Sequence, residues 1–210
     1  MAKLRIGYFL EDIGHKEFIP ALVERIADKA GLVSRTLEHV IYNASGGKGQ
    51  AITELRNFLR DMAREVVSPT PVLIVAIDGN CQGYTDKRNE IQQIAELYEY
   101  PGQLVCAIPN PHIERWYIAD PPGFQKAIEA RIQPDLPAYK CERGRYKRAM
   151  LDVFADVGVR PLMGGAEYGR EVVAAMDLYT AQKVDAALKH FVDDLKAVLL
   201  PVAQSPVELE

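Results

Sequence analysis

The sequence predicts an α/β domain: a parallel sheet with flanking helices and a helical C-terminal extension. Three observations predict it. Apolar strand-like runs alternate with amphipathic helical runs through the first half. The run Val72-Leu73-Ile74-Val75-Ala76-Ile77 contains no polar residue. A strand covered on both faces needs such a run, and strands of that kind belong to parallel sheets. After Pro109 no strong strand pattern appears, only helical spacing broken by Pro- and Gly-bearing loops.

The first strand is read over residues 3–10. A helix over 16–30 follows, because Phe18, Ile19, Leu22, Val23, Ile26 and Ala27 recur at helical spacing. The second strand is read over 35–42. A flexible break, Ser45-Gly46-Gly47-Lys48-Gly49, separates it from a helix over 51–67. Ile52, Leu55, Phe58, Leu59, Met62, Ala63 and Val66 form that helix's apolar stripe, and Ser68-Pro69-Thr70-Pro71 stops it. A strand over 71–77, a weaker helix over 85–98 and a strand over 103–108 complete a β-α-β-α-β-α-β order with right-handed crossovers. Further helices are expected over 113–119, 123–130, 143–154 and 167–176. A long one over 180–200 buries Val184, Ala187, Leu188, Phe191, Leu195, Val198 and Leu199. The tail from Pro201 reads as frayed. Residues 1–120 are read as the core and 121–210 as an extension packed on the same domain.

The chain has 210 residues, with 25 basic and 29 acidic side chains and a net charge of −4. Hydrophobic residues make up 48%, which excludes a disordered or low-complexity chain. The negative balance excludes a bulk polycation that coats nucleic acid. No run approaches the roughly 18–20 apolar residues of a membrane helix, and the basic N-terminus leads straight into a strand, so no signal peptide is expected. Cys81, Cys106 and Cys141 are an odd number at wide spacing and fit neither a disulfide framework nor a zinc pattern. His15, His39, His112 and His190 are scattered. A reducing, cytoplasmic compartment is therefore expected, with no membrane partner.

Ligands of parallel α/β sheets bind at the carboxyl ends of the strands. There the sequence places Glu11-Asp12 after the first strand and Asp78-Gly79-Asn80 after the third. Pro109-Asn110-Pro111-His112-Ile113-Glu114 follows the fourth. Clustered carboxylates repel unless a cation neutralises them. Carboxylate and amide oxygens suit Mg²⁺ or Mn²⁺ better than zinc, and such an ion can activate water and stabilise phosphoryl charge. The plain alternative is a set of solvated loop acids.

Those residues carry a resemblance. Tyr8-Phe9-Leu10-Glu11-Asp12, Ile77-Asp78-Gly79-Asn80 and the Pro-x-x-x-x-Glu-x-Trp segment at Pro109–Trp116 resemble the Toprim fold. That Rossmann-like fold is the metal-binding domain of topoisomerases, primases and OLD-type nucleases. The segment is similar to one in small Toprim-like proteins encoded beside ATPases in bacterial defence loci. The resemblance spans about residues 3–120. It implies a nuclease with Glu11 as ligand or general base and Asp78 and Asn80 as metal ligands. Glu114 would be a further catalytic residue, and an ATPase a possible partner. Two departures stand out. Asn80 occupies the place of a second Asp and supplies no negative charge. Asp12-Ile13-Gly14 replaces the usual Gly-rich turn.

The segment Lys140-Cys141-Glu142-Arg143-Gly144-Arg145-Tyr146-Lys147-Arg148 holds five basic residues and one acid. On an acidic chain such a patch points to an anionic partner such as DNA or RNA; a solvated helix face is the simpler reading. Lys48 joins Lys140, Arg143, Arg145, Lys147 and Arg148 as a candidate phosphate contact. Its loop precedes a helix, but Gly49 after Lys48 rules out a Walker A loop. Trp116 reads as core, with base stacking as the alternative. His112 reads as a cap or solvated residue, and Asp120 as a helix stop before Pro121-Pro122. Three function classes follow: a metal-dependent phosphodiesterase acting on nucleic acid, a Toprim-derived binding subunit with a decayed metal site, and an unrelated nucleotide-binding α/β protein. An oligomer is compatible with each.

Overall fold

The computed structural model describes residues 3–32, 37–45 and 49–204. It is α/β, with a four-stranded parallel sheet between helices. The strands are β1 (Leu4–Leu10), β2 (Leu37–Asn43), β3 (Val72–Ala76) and β4 (Gln103–Ala107), in the order β2-β1-β3-β4. Helices α1 (Ile13–Lys29), α2 (Ala51–Ala63) and α3 (Tyr84–Leu97) form the crossovers. The period of two along each strand divides the core. Ile6, Tyr8, Leu10, Val72, Ile74 and Val105 face α1 and the C-terminal helices. Phe9, Leu73, Val75 and Cys106 face α2 and α3. The chain leaves β1 in one direction along the sheet and, after β2, returns past β1 to β3. A single hand of crossover then puts α1 and α2 on opposite faces, as observed. The reversal leaves a crevice between the carboxyl ends of β1 and β3.

The C-terminal half comprises α4 (Ile113–Tyr117), α5 (Pro121–Ala127), α6 (Arg145–Asp156), α7 (Gly169–Ala175), α8 (Leu178–Val184) and α9 (Ala186–Gln204). It covers the α1 face, where Trp116, Phe124, Phe154 and Phe191 are fully or almost fully buried. Trp116 is thus core, stacked on Phe191 at 5.8 Å. None of these helices is long and apolar enough to cross a membrane.

Several expectations are corrected. The first helix starts at Ile13 rather than 16, because Asp12 accepts the His15 amide at 3.2 Å and caps it. The second ends at Ala63, where the chain turns through Glu65 at φ 59°. The helix expected over 167–176 opens as a 3₁₀ turn at Ala166–Tyr168 before α7. The long helix expected over 180–200 is two helices broken at Asp185. Its buried carboxylate caps α9 through the Leu188 amide at 2.9 Å and binds Arg115 at 2.7 Å and Trp116 Nε1 at 3.2 Å. Helix α9 runs on through Pro201 instead of fraying there. Asp120 precedes α5 and accepts the Asp177 amide at 2.6 Å.

The reading of the cysteines is overturned. Cys81 and Cys141 form a disulfide across 60 residues of chain, with their Cα atoms 5.5 Å apart. Spacing alone concealed the pair, because it joins two loops that meet only when the sheet has folded. Cys106 is the free thiol, buried beneath α3. The expectation of a reducing compartment rested on unpaired thiols and loses that support.

Candidate metal centre at the sheet crevice

The crevice between β1 and β3 is where the acids stand. Glu11 follows β1 and Asp78 follows β3, and the Asp78 amide donates to Glu11 Oε2 at 2.7 Å. The Asp78 side chain is 9% exposed. Its Oδ1 accepts the Ile113 amide at 2.9 Å, and its Oδ2 lies 3.1 Å from His112 Nδ1. His112 and Ile113 come from the loop after β4, so three strand ends meet at Asp78.

His15, in the first turn of α1, completes the arrangement. It is fully buried, with Nδ1 2.8 Å from Asp12 Oδ1 and Nε2 3.3 Å from Asp78 Oδ1. The second contact is not aligned as a hydrogen bond, which leaves Nε2 a buried polar atom without one. Glu11, His15 and Asp78 each offer one ligand atom, all within 4.8 Å of one another, and this group can hold a metal ion. Gly14 allows the close packing behind it: a Cβ there would meet Ile113 Cγ2 at 2.9 Å.

The electrostatics follow from burial and pairing. Burial alone would pull the His15 imidazole down, but the Asp12 and Asp78 carboxylates push it up to about 10. Burial would raise Asp12, yet His15 outweighs it and holds that carboxyl at about 2. Asp78 is likewise held below the usual range against its burial, by His112 and His15. Glu11 is raised by burial and by the neighbouring Asp78 charge. Glu114 is raised chiefly by burial.

No family model, no curated protein and no solved structure matches this chain. The site is therefore read from its own geometry.

Of the residues singled out from sequence, Glu11 and Asp78 are brought together. Glu114 lies beside them, lining a cavity of about 60 Å³ with Asp12, Tyr117, Lys147 and Met163. Asn80 sits in a turn at φ 49°, and its Nδ2 donates back to the Asp78 carbonyl at 3.2 Å. The basic segment divides in two. Lys140, Arg145 and Arg148 converge on Glu142 at 3.1, 3.5 and 2.7 Å. Arg143 and Lys147 make no ion pair among the described residues. Lys147 instead lies over Gly164, a left-handed glycine (φ 67°) where a Cβ would come within 2.8 Å of its Nζ. The disulfide pins Cys141, and with it the start of this segment, three residues from Asp78. Lys48 lies outside the described residues.

Sequence reasoning missed His15 as a member of the group. The available signal was an acid at a strand end followed three or four residues later by His, across a strand-to-helix junction. It also placed His112 as a cap or solvated residue. His112 does precede α4, but it is buried and bonded to Asp78.

Proposed function

We propose that this chain is a divalent-metal-dependent phosphodiesterase acting on nucleic acid, of the Toprim kind. The observation that supports the reading most is the meeting of Glu11, His15 and Asp78 at the crevice of a parallel sheet. The donor set fits a metal that displaces the His15 proton: two carboxylates, plus a buried imidazole nitrogen without an aligned partner. An imidazole in the set favours Mn²⁺ over Mg²⁺, since Mg²⁺ prefers oxygen ligands and retains its waters. When bound, such an ion supplies positive charge to a phosphoryl oxygen and acidity to a water. The chain's own groups do the rest. Asp12 and the main-chain amides of Asp78 and Ile113 fix the ligands. Lys147, on the cavity it shares with Asp12 and Glu114, holds a phosphate oxygen, and Glu114 orients the attacking water. Arg143 extends the phosphate track along the basic segment.

One observation favours a second reading, a binding subunit without turnover. Both Asp78 oxygens already have partners, His112 and the Ile113 amide by hydrogen bonds and His15 by an ion contact, so the carboxylate is compensated without a metal.

The test is Mn²⁺- and Mg²⁺-dependent cleavage of supercoiled DNA, single-stranded DNA and tRNA, with Glu11→Gln and Asp78→Asn beside the wild type. Metal-dependent cutting lost by at least a hundredfold in both variants is expected. Cutting that survives both substitutions overturns the site. Mn²⁺ binding with no cutting selects the second reading.

A further inference from the structure

A groove of about 310 Å³ adjoins the metal-site turn on the same edge of the sheet, lined by Tyr84, Asn110, Arg115, Tyr139, Asp185 and His190 among others. Its link to the site is short. Gly79, the neighbour of Asp78, would place a Cβ 3.4 Å from Asn110 Oδ1, and the Gly79 amide donates to the Pro109 carbonyl at 2.7 Å. Asn110 Oδ1 in turn accepts the Tyr139 hydroxyl at 3.1 Å. Tyr139 is 54% exposed, an aromatic ring kept at the surface by that bond and by Arg115, whose guanidinium lies 5.9 Å from the ring centroid. Tyr84 and His190 stack at 4.9 Å and add a second flat pair to the lining.

The groove's charges are already used. Arg115 gives Nε to Asp185, Nη1 to Tyr146 and the Pro137 carbonyl, and Nη2 to the Val184 carbonyl. It cannot act as a phosphate clamp without losing a buried ion pair. What remains for a ligand is aromatic surface, together with the Asn110 amide nitrogen and the His190 ring nitrogens, which make no hydrogen bond among the described residues. Flat faces beside hydrogen-bonding groups suit a planar heterocycle. The volume is at the small end of ligand sites, which run about 300–1,000 Å³. The exposed cations lie just outside, Lys140 following Tyr139 directly in the chain.

We propose that this groove seats an unpaired nucleobase of the strand whose phosphate lies at the Glu11–His15–Asp78 cluster, so that the substrate class is single-stranded nucleic acid. A paired base cannot offer both faces to aromatic side chains, whereas an unpaired one can. The inference rests on the phosphodiesterase reading and sharpens it. The covalent tie at Cys141, two residues after Tyr139, holds the ring near the turn that bears Asp78.

The experiment is fluorescence-polarisation binding of labelled single-stranded DNA and RNA oligonucleotides, of the matching duplexes, and of a nucleoside monophosphate as competitor. All are run in EDTA so that no cleavage intervenes. Tyr139→Ala, Tyr139→Phe and His190→Ala are compared with the wild type, and cleavage with Mn²⁺ is followed in parallel. Single strands are expected to bind more tightly than duplex. Tyr139→Ala should weaken single-strand binding about tenfold and leave duplex binding unchanged, while Tyr139→Phe keeps most of it. Duplex bound as tightly as single strand, Tyr139→Ala and His190→Ala both binding like the wild type, or a free monophosphate bound as tightly as the strand each overturns the proposal. If the wild type still cuts nucleic acid in those cases, only the groove assignment fails. A wild type that neither binds nor cuts nucleic acid sinks both readings.

Discussion

At the scale of single residues, the decisive side chain is His15. Its ring is buried with one carboxylate on each nitrogen. Removing it leaves Asp78, itself only 6% exposed, with one partner fewer. His15→Gln keeps polarity but cannot place an imidazole nitrogen beside Glu11 and Asp78. Titration calorimetry is expected to show Mn²⁺ affinity reduced at least tenfold, with a smaller loss for His112→Gln, whose ring touches Asp78 from outside the group. Equal losses in the two variants would mean that His15 supports Asp78 rather than the metal. Glu11 and Asp78 were legible in the sequence because strand ends can be read from hydrophobic runs, and crevices lie at strand ends. His15 was harder to read: the spacing from Asp12 allows a capped helix start, but which way the ring turns is decided by the packing of α1 on the sheet.

At the scale of elements, the break between α8 and α9 shows what periodicity conceals. The apolar stripe runs from Val184 to Leu199 without interruption, so it reads as one helix. The interruption comes from one polar residue that the pattern does not weigh. The Asp185 carboxylate caps α9 and binds Arg115 and Trp116 of α4, a buried ion pair with the two side chains 10% and 4% exposed. Breaking one partner of such a pair costs about 3–5 kcal/mol, because the other charge is left buried. Asp185→Ala is therefore expected to lower unfolding free energy by about that amount in urea titrations. Asp185→Asn, which keeps the capping acceptor, should lose less. A loss below about 1 kcal/mol for Asp185→Ala would show that the Arg115 charge finds water or another acceptor.

At the scale of the whole molecule, the parallel sheet was legible because its central strand is apolar on both faces. The disulfide was not, since it joins loops 60 residues apart that only the folded sheet brings together. That bond makes the metal-site turn and the basic segment a single unit, although no helix or strand spans residues 128–144 between α5 and α6. A cross-link over that length stabilises a chain by about 4 kcal/mol in the loop-entropy view. Burial pushes the remaining thiol, Cys106, up to about 12, so it stays protonated and unreactive while the fold is intact. Thiol titration should accordingly find no reactive group in the native oxidised protein, one after unfolding and three after unfolding with reductant. Reduction should lower the unfolding midpoint and weaken oligonucleotide binding, because the loop from Tyr139 to Gly144 then loses its covalent tie to the turn after Asp78. Mn²⁺ binding should survive reduction, since Glu11, His15 and Asp78 are all held by the sheet and α1. Three reactive thiols in unfolded protein never exposed to reductant would show that Cys81 and Cys141 are not joined.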